Sequence, residues 1–274
     1  MAIMVISFHG GDASKPSPIN TLAAFQLGGP LPGLRELRGF IVGPDGHLYV
    51  VSGYKDNSLV LQFTSQAAGW PVTFVTNFVT DHLSHPFDLD FGPDGHLYVS
   101  NQGSNEVTRY EGPGNKTPGS YKGTFLSGFS AVRGLACDGT YWYIADEKGG
   151  TTKTGAVLAY DLTGKPAGSV AVANPVHLLS SGGYIYVGSG SGNQVLAFKG
   201  GDFTDAPTTV VGSALTPAIN ATAGLAIPGD GYLYVASRKG QQILRYPLTP
   251  PTTAANGSVF LDALPDQPEF VGML

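Results

Sequence analysis

One short phrase recurs along the chain and restricts what it can fold into. Phe91-Gly-Pro-Asp-Gly-His-Leu-Tyr-Val99 is matched by Val42-Gly-Pro-Asp-Gly-His-Leu-Tyr-Val50. Looser copies stand at Cys137–Ile144, Ser180–Val187 and Ile227–Val235. Each copy ends an apolar run, turns through Asp-Gly or Gly-Gly, and begins a run rich in Tyr and Val. Glycine supplies the positive φ that such a turn needs, so each copy predicts a β-hairpin. A further strand follows each hairpin on the pattern Asn-x-apolar-x-x-aromatic, as in Asn105–Tyr110, Asn193–Phe198 and Asn20–Phe25. Most repeats then add a fourth segment such as Val72–Phe78 or Ser258–Leu261.

Equivalent points on the first strand (A) of each repeat are Gly39, Asp88, Gly134, His177, Gly224 and Phe270, 43–49 residues apart. That period belongs to propeller blades. The sixth copy is split: Glu269–Met273 supplies its strand A and Ile3–Ser7 its strand B. The expected fold is therefore an all-β, six-bladed propeller of four-stranded blades. It is one domain over residues 1–274, closed by a blade shared between the two ends. Closure hides the strand edges that an open array would expose.

Composition agrees. The chain has 39 glycines and only 13% charged residues, which suits strands and tight turns. Its net charge of −5 argues against nucleic acid or an anionic membrane as partner. No apolar run reaches the length of a membrane span. The first residues lack the basic region of a signal peptide, so the compartment is left open between the cytoplasm and secretion with a signal removed. The single cysteine, Cys137, excludes an internal disulfide and reads as a small buried side chain. A monomer is expected.

The pattern Pro-x-Gly-apolar-x-x-(Gly-Pro)-Asp-Gly-x-Leu-Tyr-Val resembles the NHL-repeat propellers. It is also similar to the virginiamycin B lyase and gluconolactonase/senescence-marker families, over essentially the whole chain. The resemblance implies a site on the face where A strands start and B strands end, away from the Asp-Gly turns. Scaffolds of this kind carry lactonases, lyases and binding modules, so function has to be read from the site.

The turn residues His47, His96, Asp45, Asp94, Asp138 and Asp230 fall on the opposite face and read as turn formers. On the site face, one charged or titratable group per blade gives Arg38, Asp88, Arg133, His177, Arg238 and Glu269. His9, Tyr54, Asn101, Asp146, Glu147, His82 and His85 stand nearby. Two readings stay open. In one, arginines clamp a small anionic or polar ligand, or a glycan, while His177 and Glu269 move a proton in lyase or hydrolase chemistry; Arg38, Asp88, Arg133, Arg238, Tyr54 and Asn101 bind substrate. In the other, the same groups are ion pairs that close the channel, and the propeller recognises a glycan, peptide or protein without catalysis. Resemblance to gluconolactonases also implies a divalent cation, Ca or Mg, with Glu269 and Asp146 matching that family's Glu and Asp; Asp88 is a further candidate ligand. Arg133 stands where that family places a ligating Asn.

Overall fold

A computed structural model describes residues 4–8, 21–22, 25–26, 37–54, 57–65, 72–151, 153–264 and 266–273. Every regular element among them is a strand. Blade 1 comprises Leu37–Val42, His47–Tyr54, Asn57–Ser65 and Phe74–Val79. Blade 2 comprises Pro86–Phe91, Leu97–Asn101, Glu106–Tyr110 and Tyr121–Leu126. Blade 3 runs from Val132–Cys137 through Tyr141–Asp146 and Ala156–Asp161 to Pro166–Ala171. Blade 4 is Pro175–Ser181, Tyr184–Ser189, Gln194–Lys199 and Thr208–Val211. Blade 5 is Thr222–Ala226, Tyr232–Ser237, Gln242–Thr249 and Ser258–Leu261. Each is an antiparallel meander, strand A innermost.

Five four-stranded blades are therefore complete among the described residues, against six expected. The sixth sector holds a two-stranded sheet in which Met4–Phe8 pairs with Pro268–Met273. Its inner strand, Pro268–Met273, packs against the A strands of blades 5 and 1 and so closes the ring. The expected third strand of this sector, Asn20–Phe25, differs. Thr21–Leu22 turns back on Phe25–Gln26 as a small hairpin of its own.

The turns behave as their residues require. In four of them the turn aspartate accepts the N–H two or three residues on and the hydroxyl of the strand-B tyrosine. The Tyr49–Asp45, Tyr98–Asp94, Tyr143–Asp138 and Tyr234–Asp230 bonds are each 2.8 Å. Gly46 and Gly95 take φ of 76° and 74° at the same place. Apolar side chains of neighbouring blades pack between the sheets. Leu89 and Val99 meet Tyr49 and Val60 of blade 1, and Ile185 and Val187 meet Tyr143 and Val157 of blade 3.

The ring is tightest along its axis, where large and small residues alternate from sector to sector. Asp88, His177 and Phe270 occupy three sectors, and Gly39, Gly134 and Gly224 the three between. A Cβ on Gly39 would lie 2.8 Å from the Asp88 Cα, one on Gly134 3.0 Å from the His177 Cα, and one on Gly224 2.5 Å from the Phe270 Cα. The glycines are there for closeness of approach. Gly224→Ala is expected to cost at least about 2 kcal/mol, because it overpacks backbone against backbone. Gly95→Asn, at a turn with nothing near its Cβ, is expected to stay within about 1 kcal/mol. Urea denaturation of both variants checks the contrast. Deleting 268–274 removes the inner strand of the closing sheet, and a fall of more than about 10 °C in thermal midpoint is expected.

Candidate functional site

In every blade, the pairing of strands A and B slips at the same point: Leu37/Phe40, Pro86/Asp88, Val132/Leu135, Pro175/His177 and Thr222/Leu225. This bulge re-aims the next side chain, as bulges do. Its result is that Asp88 and His177 reach sideways along the axis to the next blade. The N–H of Leu135 donates to Asp88 Oδ2 at 3.3 Å, and the N–H of Leu225 donates to His177 Nδ1 at 3.1 Å. Two residues on, Asp90 Oδ2 accepts the N–H of Cys137 at 2.9 Å. Innermost strands have no ladder partner on their axial side, and these side chains stand in for one.

Above this layer the channel is filled. The Phe87 and Phe270 rings touch, with centroids 5.2 Å apart, and His177 meets Phe270 edge-on at 4.9 Å. The guanidinium carbons of Arg38 and Arg133 lie 5.1 and 5.8 Å from the centre of the Phe87 ring. The arginines expected to hold a ligand are tied to protein. Arg38, buried, donates to Gln102 Oε1 at 2.8 Å and to His85 Nε2 at 3.1 Å. Arg133 donates twice to Glu147 Oε2, at 2.9 and 2.6 Å. Arg238 donates to Gln267 at 2.9 Å and pairs with Glu269 at 3.2 Å. All three arginines of this face thus have side-chain partners within the protein.

Asn101 and Asp146 hold equivalent positions at the ends of their B strands, and both are buried. Asn101 Oδ1 accepts the N–H of Ser84 at 2.8 Å, while its amide nitrogen donates to Thr108 and Val99. Both Asp146 oxygens accept backbone N–H groups, from Ser130 at 2.9 Å and Ala131 at 2.7 Å. Each pins the loop that leads into its blade, and neither side chain is presented to a ligand. The expected cation site does not assemble. Asp146 is spent on its loop, Glu269 on Arg238 and Asp88 on backbone, and no group of three His, Cys, Asp or Glu among the described residues could hold a metal. The residues present do not fit a resident divalent cation. The Tyr54 side chain and His9 lie outside the described residues.

Below the aromatic layer lies a cavity of about 480 Å³, bordered by the innermost strand of all six sectors. It runs from Asp88, His177 and Phe270 down to the A–B turns, where Val42 and Pro228 are exposed at its rim. The cavity therefore meets solvent on the face opposite to the one expected. Its walls mix apolar and polar surface, and its polar side chains are Asp88, Asp90, His177, Ser180 and Cys137. Burial pushes Asp90 up to about 6 and Asp88 well above the ordinary carboxyl range. It also brings His177 down to about 4. His177 is then neutral near pH 7, and because Nδ1 accepts from Leu225, its proton sits on Nε2. Burial raises Cys137 to about 11, so its thiol is no ready nucleophile.

Asp90, Phe87 and Phe270 were not singled out by the sequence reading as site residues. The signal was present in Phe87-Asp-Leu-Asp-Phe91, which puts two carboxyls on an innermost strand where apolar residues are the rule.

No family model and no curated protein matches the chain. Solved structures do. The chain is similar to virginiamycin B lyase from Staphylococcus aureus, with 16% identity, 85% of this chain and 73% of that one covered, and a TM-score of 0.61. It is similar to the periplasmic gluconolactonase PpgL of Pseudomonas aeruginosa, with 16% identity, coverage of 88% and 74%, and a TM-score of 0.65. It is also similar to a chain in a nidogen/laminin complex, with 10% identity, coverage of 87% and 84%, and a TM-score of 0.68. The protein is a β-propeller with lactonase-like and lyase propellers among its structural neighbours, a likeness of fold.

The buried groups make stability depend on pH in opposite senses. Asp90 keeps its proton to higher pH when folded than its ordinary 3.8 allows, so its contribution declines as pH rises from about 4 to about 6. His177 resists protonation when folded, so its contribution is lost as pH falls from 6.5 to about 4. The stability of Asp90→Asn relative to wild type should therefore rise by about 1–3 kcal/mol between pH 4 and 7.5. That of His177→Asn should rise as pH falls from 6.5 to 4. Urea titrations at each pH measure both trends.

Proposed function

We propose that this propeller, with the 4–8/268–273 sheet counted as its sixth blade, binds a small polar ligand in the axial cavity, entered from the A–B turn face. The observation that carries this reading is the cavity itself. It has the size of a ligand site, with polar side chains from its closed end at Asp88 and His177 to its rim at Ser180. Of those groups, Asp90 is raised by burial to about 6, within reach of neutral pH. Hydrolase or lyase chemistry in the cavity would use its carboxylate as the base, with His177 Nε2–H as hydrogen-bond donor. This moves the proton-transfer role away from Glu269, which is held by Arg238. The opposite face, with Arg38, Arg133 and Arg238 bound to their neighbours, serves structure. The expected anionic ligand is set aside here, because no Lys or Arg among the described residues borders the cavity.

A second reading, a propeller that recognises a glycan, peptide or protein on its surface, is supported by the likeness to a chain of a nidogen/laminin complex. A thermal-shift screen of small molecules separates the two. Any compound that stabilises wild type through the cavity should lose at least about 10-fold in affinity in Val42→Trp and Ser180→Trp, whose rings narrow the rim. Arg133→Ala should keep wild-type affinity. Binding that Arg133→Ala abolishes and the rim variants spare would overturn the cavity reading.

A further inference from the structure

The axial cavity, taken as the ligand site, also carries the charge of its ligand. We propose that it receives an organic cation, a primary or secondary amine on an aromatic or branched apolar body.

Three features converge on this class. The first is an unbalanced charge. Asp88 and Asp90 border the cavity, and among the described residues no lysine or arginine does. The nearest guanidiniums placed by the structure lie beyond the Phe87–Phe270 layer and are engaged there with Gln102, Glu147 and Glu269. An anion entering the cavity would meet a carboxylate in a low-dielectric space, and a neutral ligand would leave that carboxylate without a counter-charge.

The second is acceptor capacity. Asp90 Oδ1 takes the Phe91 N–H at 2.8 Å, and Oδ2 takes the Cys137 N–H at 2.9 Å. Each carboxylate oxygen has a second lone pair, so Asp90 can be held in place by backbone and still accept from an ammonium. Burial raises Asp90 only to about 6, so it is largely ionised at pH 7.5 and gives the cavity a negative charge, while burial also pushes Asp88 well above the ordinary carboxyl range.

The third is the lining. Phe40 and Phe270 border the space, while Leu89, Leu135, Leu178 and Leu225 border it with their strands and bury their side chains between the blades. Aromatic rings attract a cation and suit its apolar body. A hydrated metal ion would gain nothing from such walls.

Three probes of one shape test the assignment by isothermal titration calorimetry on the full chain at pH 7.5: 2-phenylethylamine, 2-phenylethanol and 3-phenylpropionate. The amine should bind at least 10-fold more tightly than the alcohol, and the carboxylate weakest. Asp90→Asn should weaken the amine at least 10-fold and shift the alcohol less than 3-fold. Should that variant fold poorly, wild type alone decides. Its amine affinity should fall as pH goes from 7.5 to 5, where Asp90 is protonated, and its alcohol affinity should fall less. His177, Asp88 and Cys137 are the other titratable groups that border the cavity. Alcohol binding as tight as the amine, or an amine affinity indifferent to both Asp90→Asn and pH, overturns the cation and leaves the cavity as a neutral-ligand site. Binding of none of the three at millimolar concentration, or amine binding unchanged in Val42→Trp, overturns the cavity reading and the cation together.

Discussion

The innermost strand of each blade has one edge with no strand to pair with, and the ring closes around that problem. Backbone N–H groups left bare in an interior cost free energy comparable to a lost hydrogen bond. Here Asp88, Asp90 and His177 accept N–H groups from the next blade's inner strand. Between them, Gly39, Gly134 and Gly224 let neighbouring backbones come within van der Waals contact. Side-chain acceptors in some sectors and close approach in others make a narrow, stiff axis from a chain with few charges.

That constraint decides where a ligand fits. The bulge on each A strand turns one side chain across the axis, and Phe87, Phe270 and His177 meet there to close the channel. On one side of them, arginines and carboxylates bind each other; on the other, space remains. A ring of alternating charge is a common sequence image of an active site, yet here every arginine of that ring has a partner within 3.2 Å. The carboxyls and the histidine whose titration burial displaces, Asp88, Asp90 and His177, border the cavity instead. Displaced titration beside empty space is the usual accompaniment of function.

Much of the fold could be read from the sequence. The Asp-Gly turns, the aromatic start of strand B and the period of 43–49 residues place the A, B and C strands of five blades and the pairing of the two ends. The role of the turn aspartates was legible too, since Asp-Gly at a hairpin needs no further cause. The direction of side chains at the axis was not. A strict alternation along Pro86–Phe91 gives one orientation for Asp88 and Asp90, and the slip between Pro86 and Asp88 resets it. Asn101 and Asp146 looked free because nothing in sequence reveals that their partners are the N–H groups of loops 15–17 residues away. The small hairpin at 21–26 escaped for a similar reason: its two-residue strands are too short to leave a period.

Cys137, the chain's single cysteine, borders the axial cavity and offers a direct measurement. Its alkylation by iodoacetamide at pH 8.5 can be followed by mass spectrometry with and without saturating 2-phenylethylamine. If the ligand occupies the axis on the turn face, labelling of Cys137 slows several-fold when the amine is present. A labelling rate unchanged at an amine concentration that saturates calorimetric binding would place the ligand elsewhere and contradict the account.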